Sequence, residues 1–236
     1  MCISHGLSRR GLMMAGAAGA AAFLTGGVPF PAFAQAPAPN AISPDAALKR
    51  LMDGNARYAA NTPDQKDFTA GRAARAQAQY PFAAILSCAD SRVAPELAFD
   101  EGPGELFVVR LAGNFVNDDG LASLEYGAKF LGTPLIMVLG HSNCGAVDAA
   151  IKVLKDNAKL PGHLPELINA IKPAVEKAKA SKPANLLDAS IAANVSLNVQ
   201  RLKTARPILS KMVTDGKVKV VGAVYDLPTG KINLLA

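Results

Sequence analysis

The chain of 236 residues contains no tryptophan, and aromatic residues make up only 6% of it. Proteins that hold single-stranded nucleic acid combine basic grooves with aromatic stacking platforms, and no basic stretch with interleaved aromatics is present here. The formal net charge is a mild +6. We therefore expect no nucleic-acid partner. Half of the residues are hydrophobic, which is enough for the core of one sizeable domain.

The sequence also lacks a hydrophobic run long enough to cross a membrane, which needs about 20 apolar residues. The candidate run, residues 11–24, is shorter and follows Arg9 and Arg10 in a segment without acidic residues. The segment ends in a small-residue cleavage pattern at Ala34. These features resemble a twin-arginine export signal. They predict that residues 1–34 are removed and that the mature protein is periplasmic or secreted, with no membrane anchor.

After the signal, residues 35–42 are rich in alanine and proline, and we expect a flexible leader. The sequence Ser43-Pro44-Asp45 then predicts the start of a helix, because it supplies a capping hydroxyl, a proline for the first turn and an acidic residue near the helix N-terminus. Residues 43–236 are expected to form one folded domain.

Short hydrophobic runs predict the strands of this domain. Four runs are continuous rather than alternating, which is typical of parallel strands covered by helices on both faces. They occupy residues 82–86, 106–109, 135–139 and 218–225. A fifth run, 232–235, follows a turn and predicts an antiparallel edge strand. Helical patterns separate the runs. The sequence thus predicts a single α/β domain with a mainly parallel central sheet, four parallel strands plus an antiparallel edge strand, flanked by helices.

Cysteine and histidine are scarce, with three of each in the chain. Without the signal, Cys88, Cys144, His141 and His163 remain. Two cysteines in an exported protein would normally indicate a disulfide. However, Cys88 and Asp90 follow the first hydrophobic run, and His141 and Cys144 follow the third. Sites in parallel sheets form beyond the carboxyl ends of strands, so these side chains converge if the two strands are neighbours.

Thiolate and imidazole are the ligands that zinc prefers, and His141 and Cys144 are close enough in sequence to reach one ion. With Cys88 they make three ligands, which leaves the fourth position to water or to Asp90. A structural zinc would normally have four cysteine or histidine ligands. His163 lies in a Pro-Gly-His loop and is expected at the surface. Asp90 and Arg92 could form a plain surface ion pair, but their place beside a ligand favours a role in the site.

The segments 88–92, Cys-Ala-Asp-Ser-Arg, and 141–145, His-Ser-Asn-Cys-Gly, resemble the two zinc motifs of the β-class carbonic anhydrases. The stretch 100–114 is also similar to that family, and the resemblance extends from about residue 48 to the C-terminus. It implies one Zn²⁺ per chain, held by Cys88, His141 and Cys144. It also implies reversible hydration of CO2 to bicarbonate and a proton, by attack of zinc-bound hydroxide on CO2.

The resemblance also implies roles for other residues. Asp90 would accept a hydrogen bond from the hydroxide, and Arg92 would hold Asp90 ionised and oriented. Gln79 would bind CO2 or bicarbonate from a partner subunit, because members of this family are homodimers or larger assemblies such as homotetramers. Phe107 matches an aromatic residue of the substrate channel, although it could equally be an inward-facing strand residue.

The chain departs from some family members at one position, and two other functions would also fit its zinc motifs. Some family members bind inhibitory bicarbonate with a tryptophan three residues before the first cysteine, and Ile85 stands there, so we expect no such inhibition. A carbonyl sulfide or carbon disulfide hydrolase on the same scaffold would share the zinc motifs. A non-enzymatic zinc-binding module would share the ligands but would not need the pair of Asp90 and Arg92.

Overall fold

The computed structural model describes residues 38–235, so the predicted export signal and the first leader residues lie outside the described residues. A five-stranded sheet forms the centre, in the order β2-β1-β3-β4-β5. The strands are β1 Ala83–Ser87, β2 Leu106–Arg110, β3 Leu135–His141, β4 Lys219–Tyr225 and β5 Ile232–Leu234. The first four are parallel, and β5 pairs antiparallel with β4. The predicted fold class is confirmed.

Helices cover both faces of this sheet. In the described range they are α1 Pro44–Ala59, α2 Arg72–Gln77, α3 Pro95–Ala98, α4 Asp118–Lys129, α5 Gly145–Asp156, α6 Leu164–Ala180, α7 Leu186–Thr204 and α8 Leu209–Thr214. The sequence pattern predicted the five longer ones. The short helices α2, α3 and α8 were not predicted, since four to six residues are too few to show a helical period. None of the described helices is both long and apolar enough to cross a membrane.

The start of α1 is as predicted. The Ser43 hydroxyl accepts a hydrogen bond of 3.1 Å from the Ala46 amide, and Pro44 occupies the first turn. Ala47 and Leu51 on its buried side are fully covered by the sheet and α3. Burial of this apolar side against the domain therefore holds α1 in place.

The residues just before α1 differ from a flexible leader. Asn40, within the predicted leader 35–42, is almost fully buried. Its side-chain amide donates to the carbonyl oxygens of Pro81, at 3.1 Å, and Leu131, at 2.7 Å. This end of the leader is therefore anchored to the domain, because a buried amide needs the partners that it finds there.

Strand β3 lies in the middle of the core and is buried on both faces. Leu135, Met137 and Leu139 pack on the side covered by α1 and α3. Ile136 and Val138 pack on the opposite side, against α4 and α7. A third apolar cluster, contributed largely by α5 and α6, lies against Cys88 and Cys144. The carboxyl ends of β1 and β3 are therefore covered by packed side chains rather than exposed to solvent.

Candidate metal centre

Two neighbouring strands and one helix bring three ligands together. Strands β1 and β3 pair in parallel, with Ser87 opposite Leu139. Cys88 follows β1 directly, His141 is the last residue of β3, and Cys144 immediately precedes α5. Their ligand atoms all lie within 4.8 Å of one another, and all three residues are buried. The convergence expected from the sequence is present in the structure.

The imidazole of His141 is oriented for a metal ion. Its Nδ1 lies 2.9 Å from the carbonyl oxygen of Ser142. A carbonyl oxygen can only accept, so Nδ1 carries the hydrogen, which leaves Nε2 as the nitrogen that can bind a metal. Among the described residues Nε2 is buried and has no hydrogen-bond partner. Buried polar atoms are rarely left without a partner, and a cation facing Nε2 would satisfy this one.

The two cysteines are free thiols, which differs from the disulfide alternative. A hydrogen bond from Cys144 lowers the pKa of the Cys88 thiol, with burial opposing and His141 and the Gly113 amide assisting. The same contact with Cys88, together with burial, raises the pKa of Cys144. The pair thus gives up one proton readily and the second with difficulty. A divalent cation between the sulfurs would favour the second ionisation, so the donor set fits zinc.

Asp90 lies beside this group and is held by Arg92. The guanidinium donates to both carboxylate oxygens, Nε to Oδ1 at 2.9 Å and Nη2 to Oδ2 at 2.8 Å, and the Arg92 amide also donates to Oδ1. These hydrogen bonds lower the pKa of Asp90 against the opposing effect of burial. Oδ2 is 3.8 Å from His141 Nε2. Asp90 is therefore an ionised acceptor next to the three-ligand group.

Two further contacts to Cys88 were not predicted. Arg110, at the end of β2, donates to the carbonyl oxygens of Cys88, at 3.0 Å, and Asp90, at 2.6 Å. The Gly113 amide lies 3.2 Å from Cys88 Sγ. Both residues fall in the family-like stretch 100–114, which was the only sequence signal for them. Their roles depend on contacts 20 to 25 residues away, which no local motif reveals.

The remaining predicted site residues lie elsewhere in the chain. Gln79 precedes the amino end of β1, whereas Cys88 follows its carboxyl end. Gln79 lines a cavity of about 1120 Å³ beside α1. Phe107 packs on the α4 side of the sheet, next to Gly127 and Tyr126. His163 is exposed just before α6. Within one chain, Gln79 and Phe107 are therefore placed apart from the three ligands.

Comparison with known proteins agrees with this geometry. The sequence model of the Carbonic anhydrase family matches residues 83–232. The carbonic anhydrase of Mycolicibacterium smegmatis is 36% identical over 196 residues, covering 81% of this chain and 93% of that protein. Carbonic anhydrase 2 of Mycobacterium tuberculosis is 36% identical over 193 residues, with the same coverage. The solved structure of a Coccomyxa β-carbonic anhydrase in complex with acetazolamide superposes with a TM-score of 0.64 at 28% identity, covering 80% of this chain and 86% of that one.

Proposed function

The chain belongs to the β-class carbonic anhydrase family, and from this we propose that it hydrates CO2 at a zinc ion held by Cys88, His141 and Cys144. The observation that carries the proposal is the three-ligand group, in which the buried Nε2 of His141 lies near the two sulfurs and has no hydrogen-bond partner among residues 38–235. The relatives are named carbonic anhydrases, so the sulfur-substrate hydrolase is not favoured. A module that only stores zinc would not account for the aligned pair of Asp90 and Arg92.

Bound zinc would lower the pKa of a water ligand toward the neutral range, which would make hydroxide available for the reaction. The protein supplies orientation. Asp90 is ionised and can only accept hydrogen bonds, so its Oδ2 can accept a hydrogen bond from the reacting water and turn the oxygen lone pair toward the carbon of CO2. Arg92 fixes that carboxylate with two parallel hydrogen bonds. It also donates to the carbonyl of Asn143, at 3.3 Å, and so joins the two ligand loops.

We propose that the protein is exported by the twin-arginine route and acts in the periplasm. This rests on Arg9 and Arg10 before a short apolar run and on the cleavage pattern at Ala34. Zinc bound before export would protect both thiols from oxidation in that compartment. Replacing Arg9 and Arg10 with lysine should leave the protein in the cytoplasmic fraction. A disulfide between Cys88 and Cys144 in the exported protein would contradict the protective role of zinc.

A second copy of the chain is proposed to complete the substrate site. Strand β2 is at the edge of the sheet, and beside it Phe107, Tyr126 and Phe130 stack in a row whose last two members are exposed. An open strand edge beside exposed aromatics suits a homodimer interface. Such a dimer, alone or paired into a homotetramer, could bring Gln79 of one copy to the metal centre of the other. Gln79→Ala should raise KM for CO2 with zinc retained, and a monomer by sedimentation would contradict the proposal.

Stopped-flow CO2 hydration by the zinc-loaded protein tests the proposed function. Asp90→Asn should lower kcat/KM by about 100-fold while zinc stays at one per chain, because the reacting water loses its acceptor. Asp119→Asn, at an exposed position in the first turn of α4, is the matched control and should match the parent. No hydration by a parent that holds one zinc per chain would overturn the assignment.

A further inference from the structure

Helix α7 buries a stripe of polar side chains. Ser190, Asn194 and Asn198 are spaced four residues apart and lie on one side of the helix. All three are at most 6% exposed. Burying an amide side chain is unfavourable unless its donors and acceptors are paired. The two asparagines therefore need specific partners inside the protein.

The Asn198 Nδ2 donates within α7 to the Asn194 carbonyl oxygen, at 2.8 Å, and the other partners are backbone groups of the segment that follows β2. The Asn194 Nδ2 donates to the carbonyl oxygen of Gly113 at 2.7 Å. The Asn198 Oδ1 accepts from the Val116 amide at 2.8 Å. Arg201, one turn further along α7, donates to the Val116 carbonyl at 2.6 Å. Helix α7 thus holds residues 113–116 through their backbone, from more than 80 residues away.

The same segment contacts the metal centre. The amide of Gly113 lies 3.2 Å from Cys88 Sγ, and the contact is buried. Gly113 has a φ of +83°, and a Cβ added there would lie 2.5 Å from Ile171 Cδ1. The positive φ favours glycine at this position, and a side chain there would also have to displace the end of the Ile171 side chain on α6. An N–H that faces a thiolate stabilises its negative charge and reduces the electron density that it donates to a cation.

We propose that Asn194 is a positioning residue for the metal centre. By holding the Gly113 carbonyl, it keeps the Gly113 N–H directed at Cys88 Sγ, and so sets how strongly that thiolate donates to the metal. Two anionic thiolates reduce the positive charge that zinc presents to water, so a hydrogen bond to one of them matters for this ligand set. This inference rests on the proposed metal site. It gives α7 a role in positioning the metal ligand, in addition to its packing against β3 and β4.

Cobalt(II) in place of zinc gives a direct test, because the thiolate-to-metal charge-transfer band reports electron donation by sulfur. Asn194→Leu should move this band to longer wavelength, since loss of the N–H contact raises the energy of the sulfur electrons. Metal affinity should fall about 10-fold, as is usual when a group that supports a ligand is removed. Asn198→Leu is the matched control. It removes a buried asparagine from the same helix, together with its bonds to the Val116 amide and to Asn194 Oδ1, at 3.3 Å, but leaves the bond from Asn194 Nδ2 to Gly113.

The control separates positioning from a general loss of stability. We expect Asn198→Leu to lower the unfolding temperature about as much as Asn194→Leu, with a clearly smaller band shift. Equal band shifts in both variants, or none in Asn194→Leu, would overturn the inference. Should Asn194→Leu fail to fold, Asn194→Ser, which is too short to reach Gly113, replaces it. A parent without any thiolate-to-cobalt band would instead contradict the metal site itself, so the two failures are distinguishable.

Discussion

The metal centre and the ion pairs beside α1 use the same kinds of charged side chain in opposite ways. At the metal centre, Asp90 and Arg92 are two residues apart and belong to one loop. In the α1 ion-pair cluster, defined as Arg50, Arg57, Asp100, Glu101 and Glu105, each arginine reaches a carboxylate more than 40 residues away. A local pair can orient a carboxylate toward a ligand without fixing the fold. Long-range pairs fix α1 to the domain, so the two regions should respond differently to substitution.

The largest effect is expected at the metal centre. His141→Ala removes one of three ligands, and we expect zinc to be lost and CO2 hydration to fall by about 1000-fold or more. His163→Ala is the control, because this exposed histidine precedes α6 and is not among the three grouped ligands. Metal content and stopped-flow rates measure both. A fully active His141→Ala protein would mean that another group of residues binds the metal.

A substitution at α1 should show the opposite pattern. Gly54 faces α3 so closely that an added Cβ would lie 1.9 Å from the Phe99 carbonyl oxygen. Gly54→Ala should therefore lower the free energy of unfolding by about 3 kcal/mol, through the displacement of α1. Urea unfolding measures this loss. We expect kcat of the folded fraction to stay near that of the parent, and a large fall in kcat would show that α1 also shapes the metal centre.

Matched arginine substitutions compare the two regions directly. Arg57→Met leaves the buried Asp100 without its 2.6 Å partner and should cost about 2 kcal/mol of stability, with little change in turnover. Arg92→Met frees Asp90, and we expect about a 10-fold fall in kcat/KM, with little change in unfolding because Arg92 is half exposed. Equal effects of the two variants on both measurements would remove the distinction between the regions.

The last prediction concerns the pH dependence of stability. Burial opposes ionisation of Asp100, but Lys66, the Asp64 amide and Arg57 outweigh it and lower its pKa to about 2. A carboxylate with a lowered pKa stabilises the fold above its unfolded pKa, near 3.8, and this contribution of about 2 kcal/mol is lost as pH falls to about 2.

Asp100→Asn isolates this contribution, because asparagine tolerates the φ of +50° at that position. The parent should be more stable than the variant at pH 5, and the difference should shrink between pH 4 and pH 2. Acid-induced metal loss affects both proteins and cancels in the comparison. A difference that stays constant with pH would show that the charge of Asp100 does not contribute.

Features that depend on residues close together in the chain were predicted from the sequence, whereas contacts between distant residues were not. Continuous apolar runs marked the strands, and the Ser43 cap marked α1, because both signals lie within a few residues. Cys88, His141 and Cys144 stood out for the same reason. The stripe of Asn194 and Asn198 could not be recognised, since buried polar residues at a spacing of four have the same pattern as an exposed helix face. Only the tertiary structure distinguishes the two.

Arg110 illustrates the same limit at the metal centre. In the sequence it is simply a charged residue at the end of a hydrophobic run, where solvent exposure is the usual outcome. In the structure it spans from β2 to the carbonyl groups of the neighbouring loop. Arg110 reaches these carbonyl groups because β1 and β2 are neighbours in the sheet. The sequence of one strand alone does not specify which strand it pairs with.

The position of His141 as the last residue of β3 constrains how this protein can evolve. Side chains alternate along a strand, so one residue inserted into or deleted from β3 would turn the imidazole to the opposite face of the sheet. Descendants of this gene can therefore exchange residues within β3 only where the packing of the core is kept, and they cannot change its length by one without losing the ligand. Insertions and deletions should accumulate instead in connections far from the ligands, such as residues 157–163 between α5 and α6.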